Sequence, residues 1–406
     1  MQTRFSDEAR QLPRAEEAER ILRSCVHCGF CNATCPTYQL LGDELDGPRG
    51  RIYLIKQVLE GQPATASTQL HLDRCLSCRN CESTCPSGVD YHNLLDIGRS
   101  VVDRAVPRPA SQRALRLGLR SLAASPERFK ALLSLGTVFR PWLPTNLAAK
   151  LPRASAAITV RPAPRHARKV LMLEGCVQPG LSPNTNAAAA RVLDRLGISV
   201  IPCAEAGCCG ALDYHLDAQA AGLERARRNI DAWWPHLDNG VEAIVQTASG
   251  CGAFIKDYGH LLAHDPAYAA KAKRVSERAL DLVQVLGNEP LERICAARNQ
   301  RIAVHCPCTL QHGQKLGGAV EALLTRLGFN LTEVPDGHLC CGSAGTYSLT
   351  QPALARQLRD NRLNALESGQ PELIVTANVG CQSHLDSAGR TPVRHWIELV
   401  DQSLAE

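Results

Sequence analysis

The feature that most restricts what this chain can become is a run of four cysteines written twice. Cys25, Cys28, Cys31 and Cys35, followed by Pro36, spell CxxCxxCxxxCP, and Cys75, Cys78, Cys81, Cys85 and Pro86 repeat it. Three thiolates on one tight loop match three irons of a cubane, and in two-cluster arrangements the fourth cysteine of each run ligates the other cluster. The spacing therefore predicts two [4Fe-4S] sites. One takes Cys25, Cys28, Cys31 and Cys85; the other takes Cys75, Cys78, Cys81 and Cys35. Such crossing ties the loops into one unit and holds two one-electron centres close together. Structural zinc calls for two separated ligand pairs rather than this run.

A disulfide framework would need an oxidising compartment. Met1 to Arg10 contains Arg4, Asp7, Glu8 and Arg10 with no apolar core segment, so no secretory signal is expected. No apolar run approaches the roughly 20 residues of a membrane span. The expectation is a cytoplasmic protein whose 19 cysteines serve as metal ligands.

The 39 residues between the two runs include GPRGRIYLIKQVLEG, Gly47 to Gly61, with Ile52, Ile55, Val58 and Leu59 at helical spacing. Ala15 to Ser24 and Tyr91 to Val102 also read as helices. The net charge of +5 is uneven: Arg104 to Lys169 carries 14 Lys or Arg against one acid, Glu127, so the rest of the chain is net negative. Leu115, Leu119 and Leu122 stripe one basic helix there, and Leu132, Leu133, Leu135, Phe139, Trp142 and Leu143 form a second apolar set. Such pieces suit either an anionic lipid surface or the protein's own acidic surface. Interleaved aromatics and nucleic-acid-binding motifs are absent.

From Lys169 the chain duplicates itself. The first copy places Cys176 after an apolar strand from Val170 to Leu173, then Cys208-Cys209-Gly210, then Cys251 after Ile244-Val245. The second repeats this with Cys308 after Ile302 to Val304, then Cys340-Cys341-Gly342, and Cys381 after Ile374-Val375. Both copies put 31 residues between the first cysteine and the pair. A strand ending at a cysteine and followed by a helix puts the thiol at the carboxyl edge of a parallel sheet, where open α/β folds place ligands. Each copy is thus an α/β unit with four convergent cysteines, the two facing each other as a pseudo-two-fold pair. Cys203 and Cys295 lack counterparts and read as small buried hydrophobes. Cys306 lies two residues before Cys308, but Cys308 keeps the repeat spacing and takes the ligand role.

The helical insertion between the two cysteine runs resembles the α-helical ferredoxin family. The duplicated part resembles the cysteine-rich CCG domain of heterodisulfide reductases, lactate-utilisation proteins and anaerobic glycerol-3-phosphate dehydrogenase, though Cys251 and Cys381 stand where the reductases carry CxxC. The whole chain is similar to the iron-sulfur subunits of glycolate oxidases, most closely in Ser24 to Gly61, Leu72 to Gly98 and HCPCTLQH, His305 to His312. The expected architecture is α plus α/β: an α-helical ferredoxin domain over 1–103, a basic Pro-rich linker over 104–168, and CCG repeats over 169–290 and 291–406. The CCG cysteines are metal-ligand candidates, with a further Fe-S cluster or zinc both open.

No GxGxxG or Walker loop follows any strand, so hydride chemistry must belong to a partner's organic cofactor. The resemblance implies FAD-binding glycolate oxidase subunits as partners in a hetero-oligomer, electrons passed toward quinone, and loose association with the inner face of the membrane. It implies no catalytic residue in this chain and no activity toward substrate alone. The alternatives are the iron-sulfur subunit of a heterodisulfide reductase or of a lactate or glycerol-3-phosphate dehydrogenase, and a zinc-holding assembly protein.

Overall fold

Ile52, Ile55 and Leu59 lie on one side of the helix Pro48–Leu59, and that stripe is the centre of the first of two units into which the chain divides. The computed structural model describes residues 1–142, 159–291 and 299–404. Cys295, Leu143 and residues 143–158 of the basic segment lie outside the described residues.

The first unit comprises Met1–Arg116 and His338–Leu358. Helices Ala15–Ser24, Pro48–Leu59, Ala66–Asp73 and Tyr91–Ala105 surround a core of Ile21, Leu22, Ile55, Leu59, Leu72, Leu94 and Leu95. Pro48 starts its helix where a missing N–H costs nothing, and Thr65 and Thr68 form a capping box at the next. Gly98 lets the last helix approach closely, since a Cβ there would stand 2.6 Å from Ile55 Cγ1. Within this unit the hydroxyl of Tyr347 donates to the Arg74 carbonyl at 3.1 Å, and Asn80 Nδ2 donates to the His338 carbonyl at 3.2 Å. The boundaries read from sequence keep this segment in 291–406.

The second unit, Leu117–Gly337 with Arg359–Glu406, holds two four-stranded parallel sheets. In the first, β1 (Arg168–Met172), β2 (Ile198–Ile201), β3 (Ile244–Gln246) and β4 (Ala279–Asp281) take the order β2-β1-β3-β4. In the second, β5 (Arg301–His305), β6 (Asn330–Leu331), β7 (Leu373–Thr376) and β8 (Val393–His395) take the order β6-β5-β7-β8. Val170 and Met172 face one core while Leu171 and Leu173 face another, so the first sheet is covered on both sides, as parallel sheets require. Ile302, Val304 and Val375 of the second sheet join the core of Val170 and Met172. Polar links hold the repeats together: Asn378 Nδ2 donates to Ser249 Oγ at 3.1 Å, His395 Nε2 lies 2.8 Å from the Thr247 carbonyl, and Arg191 pairs with Asp401 at 2.6 Å.

The basic segment forms helices Ala110–Ala123 and Pro126–Val138. Many of its arginines find acids of this chain: Arg108 and Arg116 pair with Asp73, Arg120 with the buried Asp213, Arg161 with Glu174, Arg165 with Asp194 and Arg168 with Glu242. Leu135, Val138, Phe139 and Trp142 are exposed. Among the described residues no helix is long and apolar enough to cross a membrane.

Candidate metal centres

The two cysteine loops of the first unit share a backbone pattern that their side chains do not suggest. His27 and Ser77, each two residues after the first cysteine, have φ of 61° and 53°, and Gly29 and Arg79, two residues further on, have 87° and 61°. Three of these four are not glycine, a conformation that costs on the order of 1–3 kcal/mol each unless the surroundings hold it. Alternating left-handed residues turn the loop around its own thiols. The helices that follow, Phe30–Ala33 and Asn80–Thr84, carry the third cysteine of each run.

Two cavities result. Cys25, Cys28, Cys31 and Cys85 line one; Cys35, Cys75, Cys78 and Cys81 line the other; Tyr91, Pro48 and Cys81 stand in the walls of both. Cys81 thus borders both cavities, and five cysteines line the first. Tyr91 is buried, and its hydroxyl donates to Cys75 Sγ at 3.6 Å. Backbone N–H groups of Ser77 and Val89 point at Cys75 Sγ and Cys85 Sγ at 3.4 and 3.5 Å. Burial pushes the Cys31 thiol up to about 11, with the Cys25 charge adding to it, and burial likewise raises Cys25 and Cys81. Thiolates so crowded and desolvated need cations among them, which is the donor chemistry a cubane fits.

In the second unit the first repeat gathers its thiols from three strand ends. Cys176 follows β1, Cys208 and Cys209 follow β2, and Cys251 lies in the helix Ser249–Lys256 after β3. The thiols of Cys176 and Cys209 hydrogen-bond to Cys208 and pull it down to about 3. The same bonds raise Cys176 and, together with the one to Cys251, raise Cys209, with burial adding in both cases. One thiolate held by neighbouring thiols is a four-sulfur donor set, suited to zinc or an iron-sulfur cluster. Gly210, at φ 100°, permits the turn after the pair; a Cβ there would collide with the Gly222 carbonyl. Asn229 Nδ2 donates to the Cys208 carbonyl at 3.0 Å, and the Tyr258 hydroxyl donates to the Asn229 side chain's neighbour, the Cys209 carbonyl.

In the second repeat Cys308 caps the turn Thr309–Gly313 after β5, and Cys381 lies in the helix Val379–Asp386 after β7. Cys340 and Cys341 belong to the segment His338–Leu358 of the first unit, where the Gly342 N–H meets Cys340 Sγ at 3.4 Å. Cys306 sits in the apolar core with Val304 and Leu310, and burial lifts its thiol to about 12. The Cys203 thiol donates to the Ala232 carbonyl at 3.6 Å.

Several polar residues escaped the reading from sequence. His305, fully buried at the end of β5, lies within 4.8 Å of Cys381 Sγ, and its Nδ1 accepts from Arg362 Nε at 3.1 Å. In the first unit Asp46 and Arg51 are buried beside the second cavity. The HCPC string carried a hint of His305; nothing in the spacing marked Arg51.

Comparison with known proteins finds both cysteine regions in described domain families. The model of a 4Fe-4S dicluster domain matches residues 21–89, and that of the cysteine-rich CCG domain matches 170–256 and 302–386. The glycolate oxidase iron-sulfur subunit of Escherichia coli K12 is 68% identical over 404 residues, covering 100% of this chain and 99% of that one. A probable glycolate oxidase iron-sulfur subunit of Bacillus subtilis is 30% identical over 91% of this chain and 88% of its own length. Lactate utilization protein A of Bacillus velezensis is 28% identical over 52% of this chain and 88% of its own length. Full-length identity on this scale, together with both domain models, places the chain in a family: it belongs to the glycolate oxidase iron-sulfur subunits.

Proposed function

We propose that this chain carries electrons, one at a time, from FAD-bearing subunits that oxidise glycolate to glyoxylate toward a quinone acceptor. The observation that carries this reading is a pair of adjoining thiol-lined cavities in a chain 68% identical, end to end, to a glycolate oxidase iron-sulfur subunit. A bound [4Fe-4S] cluster takes up and returns single electrons without bond making. Cys25, Cys28, Cys31 and Cys85 are the ligands proposed for one such cluster, and Cys75, Cys78, Cys81 and Cys35 for the other. Buried Tyr91 and Cys81 stand in the wall shared by the two sites.

Cys176, Cys208, Cys209 and Cys251 are proposed to bind a further metal centre on the exit side. The equal 31-residue spacing assigns Cys308, Cys340, Cys341 and Cys381 the same role. Four-sulfur sets also suit zinc, so iron, sulfide and EPR analysis of anaerobically purified protein distinguishes an electron-carrying centre from an EPR-silent structural one. The exposed Leu135, Val138, Phe139 and Trp142, beside Lys130 and Arg140, are proposed to rest on the inner membrane face. Anionic vesicles should then bind the chain and salt release it, whereas equal binding to neutral vesicles would contradict the docking.

The deciding experiment compares the isolated chain with the assembled complex. Flavin-free chain should oxidise no glycolate with any dye, while glycolate added to the complex should reduce the cubanes, seen by EPR. Turnover by the isolated chain, or clusters that stay oxidised in an active complex, would defeat the proposal.

A further inference from the structure

The two cavities of the first unit differ in charge. Arg51, 0% exposed on the helix Pro48–Leu59, lines the second cavity and not the first. Its Nη1 lies 4.0 Å from Cys35 Sγ, its Nε donates to the His71 carbonyl at 2.7 Å, and its Nη2 reaches Thr37 Oγ1 at 3.1 Å and Asp46 Oδ1 at 3.5 Å. Arg74 Nη1 donates to the other Asp46 oxygen at 2.8 Å, and His71 Nδ1 lies 3.0 Å from Oδ1. The buried Asp46 carboxylate is thus shared between Arg51 and Arg74, whose side chain is 27% exposed, and of these three only Arg51 lines the cavity. Arg79, also in its wall, is matched by Glu82 at 2.9 Å. At the first cavity the corresponding cation, Arg49, is paired with Glu44, the two side chains being 32% and 41% exposed, so water and salt screen both.

A cluster gains one negative charge on reduction, and a fixed cation in a low-dielectric wall favours the reduced form. We propose that Arg51 sets the reduction potential of the second cubane, holding it higher than the thiol ligands alone would, with Asp46 as the counterweight that positions the guanidinium. This rests on the ligand reading above. Arg51 is a positioning and tuning residue; it exchanges neither proton nor electron.

The test is an EPR-monitored redox titration of the anaerobically purified full chain with dithionite. Cys78→Ser identifies the signal of the second centre whichever cysteine supplies its fourth ligand. Arg51→Met should lower that midpoint by the equivalent of about tenfold or more in the reduction equilibrium, about 59 mV for one electron, and leave the first unchanged. Asp46→Asn should move it upward, and Arg51→Lys should restore most of the wild-type value. Arg49→Gln should move neither by a comparable amount. The opposite signs separate electrostatics from disruption, and if Arg51→Met fails to fold, Asp46→Asn and Arg51→Lys still decide. Shifts of the same sign in Arg51→Met and Asp46→Asn, or equal shifts at both centres, would overturn the proposal. Wild-type protein lacking the iron and sulfide of two cubanes would instead overturn the ligand reading, and this inference with it.

Discussion

The two cysteine systems solve the same problem by different means. In the first unit the thiols of each run are two or three residues apart, and the left-handed backbone at His27, Gly29, Ser77 and Arg79 wraps each loop locally. In the first CCG repeat the gaps are 31 and 41 residues, and only the order β2-β1-β3 brings Cys176, Cys208, Cys209 and Cys251 to one sheet edge. The first kind of site is written in a loop; the second depends on a folded sheet. The difference predicts that damage to one should spare the other.

The largest effect should come from Cys208→Ser in the assembled complex. Substrate should still reduce the two cubanes, visible by EPR, while quinone reduction falls by orders of magnitude. Retained quinone reduction in a folded variant would take the CCG cysteines off the electron path. Next in size is Gly342→Ala. At φ 83° a Cβ would stand 2.7 Å from the Ala355 carbonyl and 2.8 Å from Leu358 Cβ. A cost of at least about 2 kcal/mol is expected from conformation and clash together, read as a lower denaturation midpoint; an unchanged midpoint would contradict the tight turn.

Acid and alkali should also divide the units. In the first, burial opposes charge on His92, but the hydrogen bonds it donates to Asp90 and Glu82 outweigh burial and raise the imidazole to about 10. The folded state therefore binds more protons than the unfolded between about 6.5 and 10, so this contribution is complete below 6.5 and is lost as pH rises through 10. In the second, burial lowers His395 to about 4. There the unfolded state binds more protons between 4 and 6.5, so the contribution is complete above about 6.5 and is lost as pH falls toward 4. Hydrogen-exchange protection measured unit by unit should show His92→Gln flattening the alkaline slope of the first alone, and His395→Gln the acid slope of the second alone. Parallel slopes in both units would refute this.

Much of this comparison was legible beforehand, and for physical reasons. Helices Ala15–Ser24 and Pro48–Leu59 follow from apolar spacing with a proline start, and the strands before Cys176 and Cys308 are short apolar runs. Thiol spacing points to two sites in this unit because the loop geometry that gathers each run is local. The network of Asp46, Arg51, His71 and Arg74 was not legible: charged residues on a helix ordinarily mark a solvated face, and only tertiary contact shows that Arg51 points inward. The basic segment stood open between lipid and protein; its arginines pair with Asp73, Asp213, Asp194 and Glu242, acids distant in sequence. The grouping of His338–Leu358 with the first unit was hidden for the same reason, since the repeat spacing speaks only of the second.

The smallest effect should come from Cys306→Ala. Its thiol packs among Val304 and Leu310, so about 1 kcal/mol of stability should be lost, with iron, sulfide and zinc contents unchanged. Metal loss would promote Cys306 to a ligand.

The proposed two-centre relay depends most on the crossed fourth ligands. EPR of dithionite-reduced Cys85→Ser beside Cys35→Ser tests them directly. Cys85→Ser should alter the centre held by Cys25, Cys28 and Cys31, and Cys35→Ser the centre held by Cys75, Cys78 and Cys81, each leaving the other signal intact. If each substitution instead perturbs the cluster of its own run, the loops do not exchange their fourth ligands and the two-centre relay is built differently from the one described.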